Sequence, residues 1–243
     1  MDQNQELALA HMRELVQKLG YSSEGYGDPT LMRFLIARSL NTEKAANMFV
    51  QWQKWRASFV PLGCIPDSEV EDELSGEKIY LQGLSTKGTS VVIIKAWKHY
   101  PSKDQPQFKK FVVHILDKAI ASSIQGEEIG NEKLTAIIDL EKLSYKNVDA
   151  RGLITGFQFL QAYYPECLAK LYILNMPGFF VRVWRFVSRF LEKATQEKVV
   201  IVTSEDEKRE FVKDIGEEAL PEEYGGQAKL VLIQDAQLKP LNG

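Results

Sequence analysis

The chain has 243 residues, of which 44% are apolar and 26% charged, and its net charge is −3. That length can bury a sizeable core in one large or two small domains. The slightly acidic balance excludes a dominant nucleic-acid role, though not a local basic patch. Cys64 and Cys167 lack metal spacing and need not pair, which suits a reducing compartment. The start, MDQNQELAL, carries no basic n-region or apolar h-region, so no secretory signal is expected.

Leu7, Met12, Leu15, Val16 and Leu19 recur at helical spacing and predict a helix over 5–19 that stops at Gly20. After the loop YSSEGYG, Asp28 reads as an N-cap with Pro29 at the first helical position. Thr42 reads as the cap of a third helix, whose Ala46, Phe49, Val50 and Trp52 mark one face. Pro61, Gly63 and Pro66 then break the chain, and a boundary falls between about 60 and 75. We divide the sequence into a helical unit (1–66), a larger unit (67–226) and a C-terminal extension (227–243).

Beyond the boundary the pattern changes. KIYLQ (78–82) and VVIIKAW (91–97) read as strands joined by the turn TKGTS. FKKFVVHILDKAIASS (108–123) is an amphipathic helix and LTAIIDL (134–140) a buried strand. Residues 148–163 are helical, KLYILNM (170–176) and KVVIVTS (198–204) are strands, and Ser204 with Glu207 forms a capping box. Alternating strands and helices predict an α/β class with a parallel or mixed sheet covered by helices.

Catalytic patterns are missing. His11 reads as a surface residue and His114 as a packed core histidine, and neither they nor His99 has metal-site spacing. No G-x-S-x-G elbow and no glycine-rich dinucleotide turn occurs. GLSTKGTS lacks the Lys-Ser/Thr that a phosphate loop needs, and a hairpin turn explains it better. An enzyme is therefore the weaker class, and neither metal nor cofactor is expected.

Residues 176–193, MPGFFVRVWRFVSRFLEK, stand out. On a wheel at 100° per residue, Phe180, Val183, Trp184, Val187, Phe190 and Leu191 share one face. Phe179, Val181 and Phe186 flank it, while Arg182, Arg185 and Arg189 fall together opposite. The segment is too short and too charged to span a bilayer, since three central arginines cost roughly 8–10 kcal/mol. Three readings remain open: a core helix with a solvated cationic face, an interfacial helix on anionic membrane, or a lid over an apolar cavity. Pro177-Gly178 supplies a hinge for the last or an ordinary turn for the first.

Five stretches in order resemble one family. They are DPTLMRFLIARSLNTEKAANMFVQWQKWR, TAIIDLEKLS, YYPECLAKLYILNMPGFF, FLEKATQEKVVIVTS and LPEEYGG, running from about residue 28 to 226. Together they resemble the CRAL–TRIO lipid-transfer family, whose yeast founder exchanges phosphatidylinositol and phosphatidylcholine. The resemblance implies a helical bundle on an α/β lipid-binding domain, with a mostly parallel sheet flooring an apolar pocket. The 176–193 helix would be the gate, and Ile137 and Ile173 would lie in the pocket floor. It also implies a headgroup site at Glu166, Thr195, Lys198 and Arg56, with Ser144 as a looser polar contact. A phosphodiester needs cationic and hydroxyl donors, and inositol hydroxyls donate to a carboxylate. Arg56 has a second reading, as the partner of a carboxylate between the two units. Val92 stands where some members place a tyrosine used with phosphatidylcholine, which argues against that lipid.

The expected protein is thus a cytoplasmic, peripherally membrane-associated carrier of one phospholipid, phosphatidylinositol above all, in transient contact with membranes. Its alternatives are a carrier or sensor of another lipophile (tocopherol, retinoid or sterol-like), or a module presenting lipid to a lipid kinase.

Overall fold

A computed structural model describes residues 2–123 and 132–236. Met1 and residues 237–243, the tail of the expected extension, lie outside the described residues. Three helices open the chain: α1 (Gln3–Lys18), α2 (Asp28–Ala37) and α3 (Thr42–Phe59). The first ends as the sequence implies. Gly20 takes φ +80, its N–H bonds Gln17 and the Tyr21 N–H reaches back to Val16, closing the last turn. Two caps move by one residue. Gly27, not Asp28, is the N-cap of α2, and Asp28 in the first turn instead pairs with Arg13 at 2.7 Å. Asn41 rather than Thr42 caps α3, because its side-chain carbonyl reaches the Lys44 N–H at 2.9 Å. Leu9, Met12, Val16, Leu31, Phe34 and Phe49 close a separate apolar core here, while Leu7 and Leu19 stay exposed.

A short helix, α4 (Glu71–Leu74), leads into the sheet. Its strands are β1 (Ile79–Leu84), β2 (Ser90–Lys95), β3 (Leu134–Asp139), β4 (Leu168–Leu174) and β5 (Val199–Ile201), paired in sequence order. The β1–β2 hairpin is antiparallel and every later pair parallel. The parallel pairs require crossovers, supplied by α5 (Gln105–Ser123), α6 (Ala150–Tyr163) and the segment holding α7 (Phe180–Val187) and α8 (Lys193–Gln196). After β5, α9 (Glu205–Ile215) starts at Ser204, whose capping box with Glu207 forms as predicted. The chain then returns to β1: the Leu81 N–H bonds Val231 and the Ile233 N–H bonds Ile79.

Both faces of the sheet are covered. One row, Ile94–Ile138–Ile173, looks toward α5 and α6. The adjacent row, Ile93–Ile137–Tyr172, packs with Phe211 and Ile215 of α9. The expectation that Ile137 floors the pocket is therefore corrected: it lies on the far side of the sheet. Successive strand residues alternate faces, and here both faces are apolar.

The helical unit is joined to the rest through the end of α3. Trp55 stacks on Tyr163 of α6 with ring centroids 3.8 Å apart and 7° between planes. Beside it, Arg56 pairs with Asp117 of α5.

Candidate functional site

The sheet row that looks toward α5 and α6 does not pack against them completely. Between them lies a cavity of about 220 Å³, far more than the roughly 10–15 Å³ that one water needs on the same measure. Ile94, Ile138 and Ile173 floor it, Phe108 and Ile115 of α5 with Phe157 of α6 wall it, and Phe180 and Trp184 of α7 close it. A gap of this size lined by side chains of this kind suits an apolar ligand.

The closing segment departs from one continuous helix. It is α-helical only over α7, and Ser188–Phe190 tightens into a 3-10 turn. Phe190 ends that turn, where the helix stops. Phe180, Val187 and Leu191 are buried, and Val183 and Trp184 half-buried. Phe186 and Phe190 are exposed by 49% and 44%, packed edge to face on each other at 5.4 Å. So neither lines the cavity. Phe179 rests on Tyr145 at 4.4 Å, outside the lining. Val187 packs in the core below rather than on the cavity. Arg182, Arg185 and Arg189 are all exposed, on the same outer side as Phe186 and Phe190. The left-handed backbone near the start of α7 falls on Asn175 at φ +55, not on Gly178. The Asn175 amide donates to the buried Asp139 carboxylate at 2.9 Å, which fixes that turn.

Two of the polar residues singled out in sequence pair through their side chains, and Thr195 meets Lys198 through the backbone alone. Glu166 sits between α6 and β4 at φ +58, and its carboxylate accepts from Lys198 Nζ at 3.1 Å. The Thr195 carbonyl accepts the Lys198 N–H at 3.1 Å, at the end of α8. Leu168, two residues past Glu166, lines the cavity. The other two are engaged elsewhere. Arg56 Nη1 lies 2.9 Å from both Asp117 oxygens and Nη2 donates to the Gly63 carbonyl at 3.1 Å. The Tyr164 hydroxyl donates to the same carboxylate at 2.7 Å; burial and the Asp117 charge hold that phenol well above its ordinary pKa. Ser144 donates to Asn147 Oδ1 at 2.5 Å and so caps the turn Tyr145–Asn147.

Polar residues that sequence reasoning passed over do reach the cavity: Lys78, His99, Asn147 and Asp149. Up to 71 positions separate them in the chain and no spacing links them; only the fold brings them together. The hydrogen bond from His99, with the Gly152 N–H, holds the Asp149 carboxyl below its ordinary pKa against the opposing effect of burial. His114 is buried in the core, with Nδ1–H donating to the Ile65 carbonyl at 2.9 Å, and burial lowers its pKa. Burial raises the Cys167 thiol to about 11, so it is no nucleophile at neutral pH. Among the described residues, no group of three or more His, Cys, Asp or Glu side chains is placed to hold a metal ion. Nor is any described helix long and apolar enough to cross a membrane.

Residues 74–226 match the CRAL/TRIO domain. The chain belongs to the CRAL/TRIO family. Among CRAL/TRIO relatives, the SEC14 cytosolic factor of Kluyveromyces lactis is 28% identical over 247 residues, covering 95% of this chain and 80% of that protein. The Sec14 cytosolic factor of Schizosaccharomyces pombe is 27% identical, covering 94% and 84%. The Arabidopsis thaliana phosphatidylinositol/phosphatidylcholine transfer protein SFH13 is 28% identical over 189 residues, which are 71% of this chain but 30% of that protein. The crystal structure of Sfh5 superposes with a TM-score of 0.68 at 17% identity, covering 98% of this chain and 93% of that one, and so shares the CRAL/TRIO fold.

Proposed function

We propose that this chain binds one phospholipid and transfers it between membranes, with the acyl chains in the cavity and α7 as its gate. The observation that carries this reading is the apolar cavity closed by Phe180 and Trp184. A two-chain lipid leaves a bilayer only for an equally apolar site, because each CH₂ is worth about 0.8 kcal/mol. Membership of the CRAL/TRIO family and the transfer protein among the relatives support it. The protein is read as cytoplasmic and peripheral. Residues 1–66 brace a carrier unit of 67–226, and the extension from 227 lies along its first strand.

Phosphatidylinositol is the favoured ligand. Lys198 offers a cation to the phosphodiester, Thr195 a hydroxyl, and Glu166 an acceptor for inositol hydroxyls. Arg56 is left out of the headgroup set because its guanidinium is spent on Asp117 and Gly63. Phosphatidylcholine is disfavoured, since the buried Val92 offers no hydroxyl.

The test is transfer of labelled phosphatidylinositol between vesicles. Wild type should transfer it, and Glu166→Ala and Lys198→Ala should each transfer poorly while keeping native circular dichroism. Transfer retained by both variants would remove the headgroup site, and none by wild type would remove the carrier.

A further inference from the structure

His114 sits where separate stretches of the chain meet. It lies on α5, and the linker that follows α3 reaches it with Ile65 and Asp67. One turn further along α5, Lys118 Nζ donates to Asp67 Oδ1 at 3.2 Å and to the Ile233 carbonyl of the C-terminal return at 3.4 Å. Ile65 and Ile233 are buried, in the apolar cluster that also holds Phe111 and Val112 of the cavity wall.

The ring is one proton short of a full set of partners. Its Nδ1 lies 2.9 Å from the Ile65 carbonyl, which only accepts, so Nδ1 carries the hydrogen. Nε2 of the neutral ring is then a bare acceptor. It is buried with no hydrogen-bond partner among the described residues, and the residue is 3% exposed. The Asp67 carboxylate stands 3.5 Å from it and is an acceptor too. The other tautomer would set the Nδ1 lone pair against the Ile65 carbonyl. Neither neutral form satisfies both nitrogens here.

Protonation supplies the missing hydrogen at Nε2 but brings a charge into the core, and the groups that face it compete. From the linker comes Asp67, which is exposed and shared with Lys118, while Glu69 is paired with Lys110. From α5 come Lys118, which repels the charge, and Asp117, whose carboxylate is taken by Arg56 and Tyr164. The C-terminal return offers the Ile233 carbonyl, already bonded to Lys118. Burial outweighs the attractions and holds the ring below its ordinary pKa of 6.5. As pH falls, a ring set free in water therefore takes up the proton before the ring in place does.

We infer that His114 is an acid-sensitive latch: neutral, it holds residues 61–67 against α5, and protonated, it releases them from the helix that walls the cavity. The device is independent of which ligand the cavity takes.

The test is hydrogen exchange of the full chain between about pH 7.5 and about pH 5.5, corrected for the intrinsic rate. The amides of Gly63, Glu69 and Val70 are bonded within residues 60–70 and report the opening. Their protection should fall as pH drops below 6.5, by up to about tenfold per pH unit, the limit for an opening that takes up one proton. In His114→Asn, whose amide donates to a carbonyl but does not titrate, protection should stay level across the range. NMR titration of the wild-type imidazole should place His114 below 6.5 with its neutral hydrogen on Nδ1. That titration needs no variant, so a His114→Asn chain that fails to fold leaves the test intact. Level protection in wild type, a fall that persists in His114→Asn, titration at or above 6.5, or a neutral hydrogen on Nε2 would each overturn the latch.

Discussion

Ile137 and Ile138 are neighbours in β3 and face opposite ways: Ile138 lines the cavity, and Ile137 belongs to the apolar cluster that holds Tyr172 and Phe211. The same parity runs across the sheet, since Ile138 is paired in register with Ile94 and Ile173. One strand thus serves a cavity face and a packed face through alternate residues.

That relationship gives a paired test. Ile138→Trp should fill the cavity and lower the fraction of protein that carries lipid, read by native mass spectrometry, with little loss of stability. Ile137→Trp overpacks a closed layer and should cost about 1–3 kcal/mol in urea unfolding. Reversed effects would place the binding face on the α9 side.

Arg56 of α3 and Asp117 of α5 tie the helical unit to the rest of the chain. Arg56→Met leaves Asp117 with Tyr164 alone and should destabilise by roughly 1–3 kcal/mol in urea unfolding. Adding Asp117→Asn should recover part of that loss, because the stranded charge is then gone. Additive losses would show that the pair is not coupled.

The outer side of α7 carries cations and exposed rings together. Changing Arg182, Arg185 and Arg189 to Gln should slow transfer from anionic vesicles and leave neutral vesicles less affected, since each cation near such a surface is worth about 1 kcal/mol. Unchanged rates would remove the stripe from docking.

Phe186 and Phe190 differ from Phe180 in what they contribute. Phe186→Ser and Phe190→Ser should unfold within about 0.5 kcal/mol of wild type yet bind vesicles more weakly. Phe180→Ala should cost roughly 3 kcal/mol of stability, as its ring is buried. Vesicle sedimentation and urea unfolding separate the two effects.

Asp214 sets an acid limit. Burial favours its neutral form, but bonds from Lys87, Tyr172 and Lys170 outweigh it and hold the carboxyl at about 2, below its ordinary 3.8. As pH falls, the unfolded chain takes up the proton first. The stabilisation is present above about pH 4 and lost toward about pH 2. In Asp214→Asn the melting temperature should fall less steeply over that window, and equal slopes would show that Asp214 does not govern it.

Much of the fold is legible in the sequence. The capping box at Ser204 and Glu207 is read from local spacing and forms as expected. The strands of LTAIIDL and KLYILNM are found because their apolar runs are short and bounded. The candidate site is less legible. Glu166, Thr195 and Lys198 were singled out by resemblance to a family, and the Glu166–Lys198 contact at 3.1 Å emerges only after a crossover. Phe190, which an ideal wheel places on the apolar face, is 44% exposed at the end of a 3-10 turn.

By itself, the sequence determined the order of helices and strands, the α/β class and the amphipathic cation-striped segment, because these rest on propensity and period within a few residues. Tertiary structure alone decided which face of β3 meets the cavity. A strand covered on both sides has no polar face, so its pattern carries no parity. The same holds for Lys78, His99 and Asp149. Their meeting depends on strand pairing and on α6 returning over the sheet, and no local preference encodes a contact between residues so far apart in the chain.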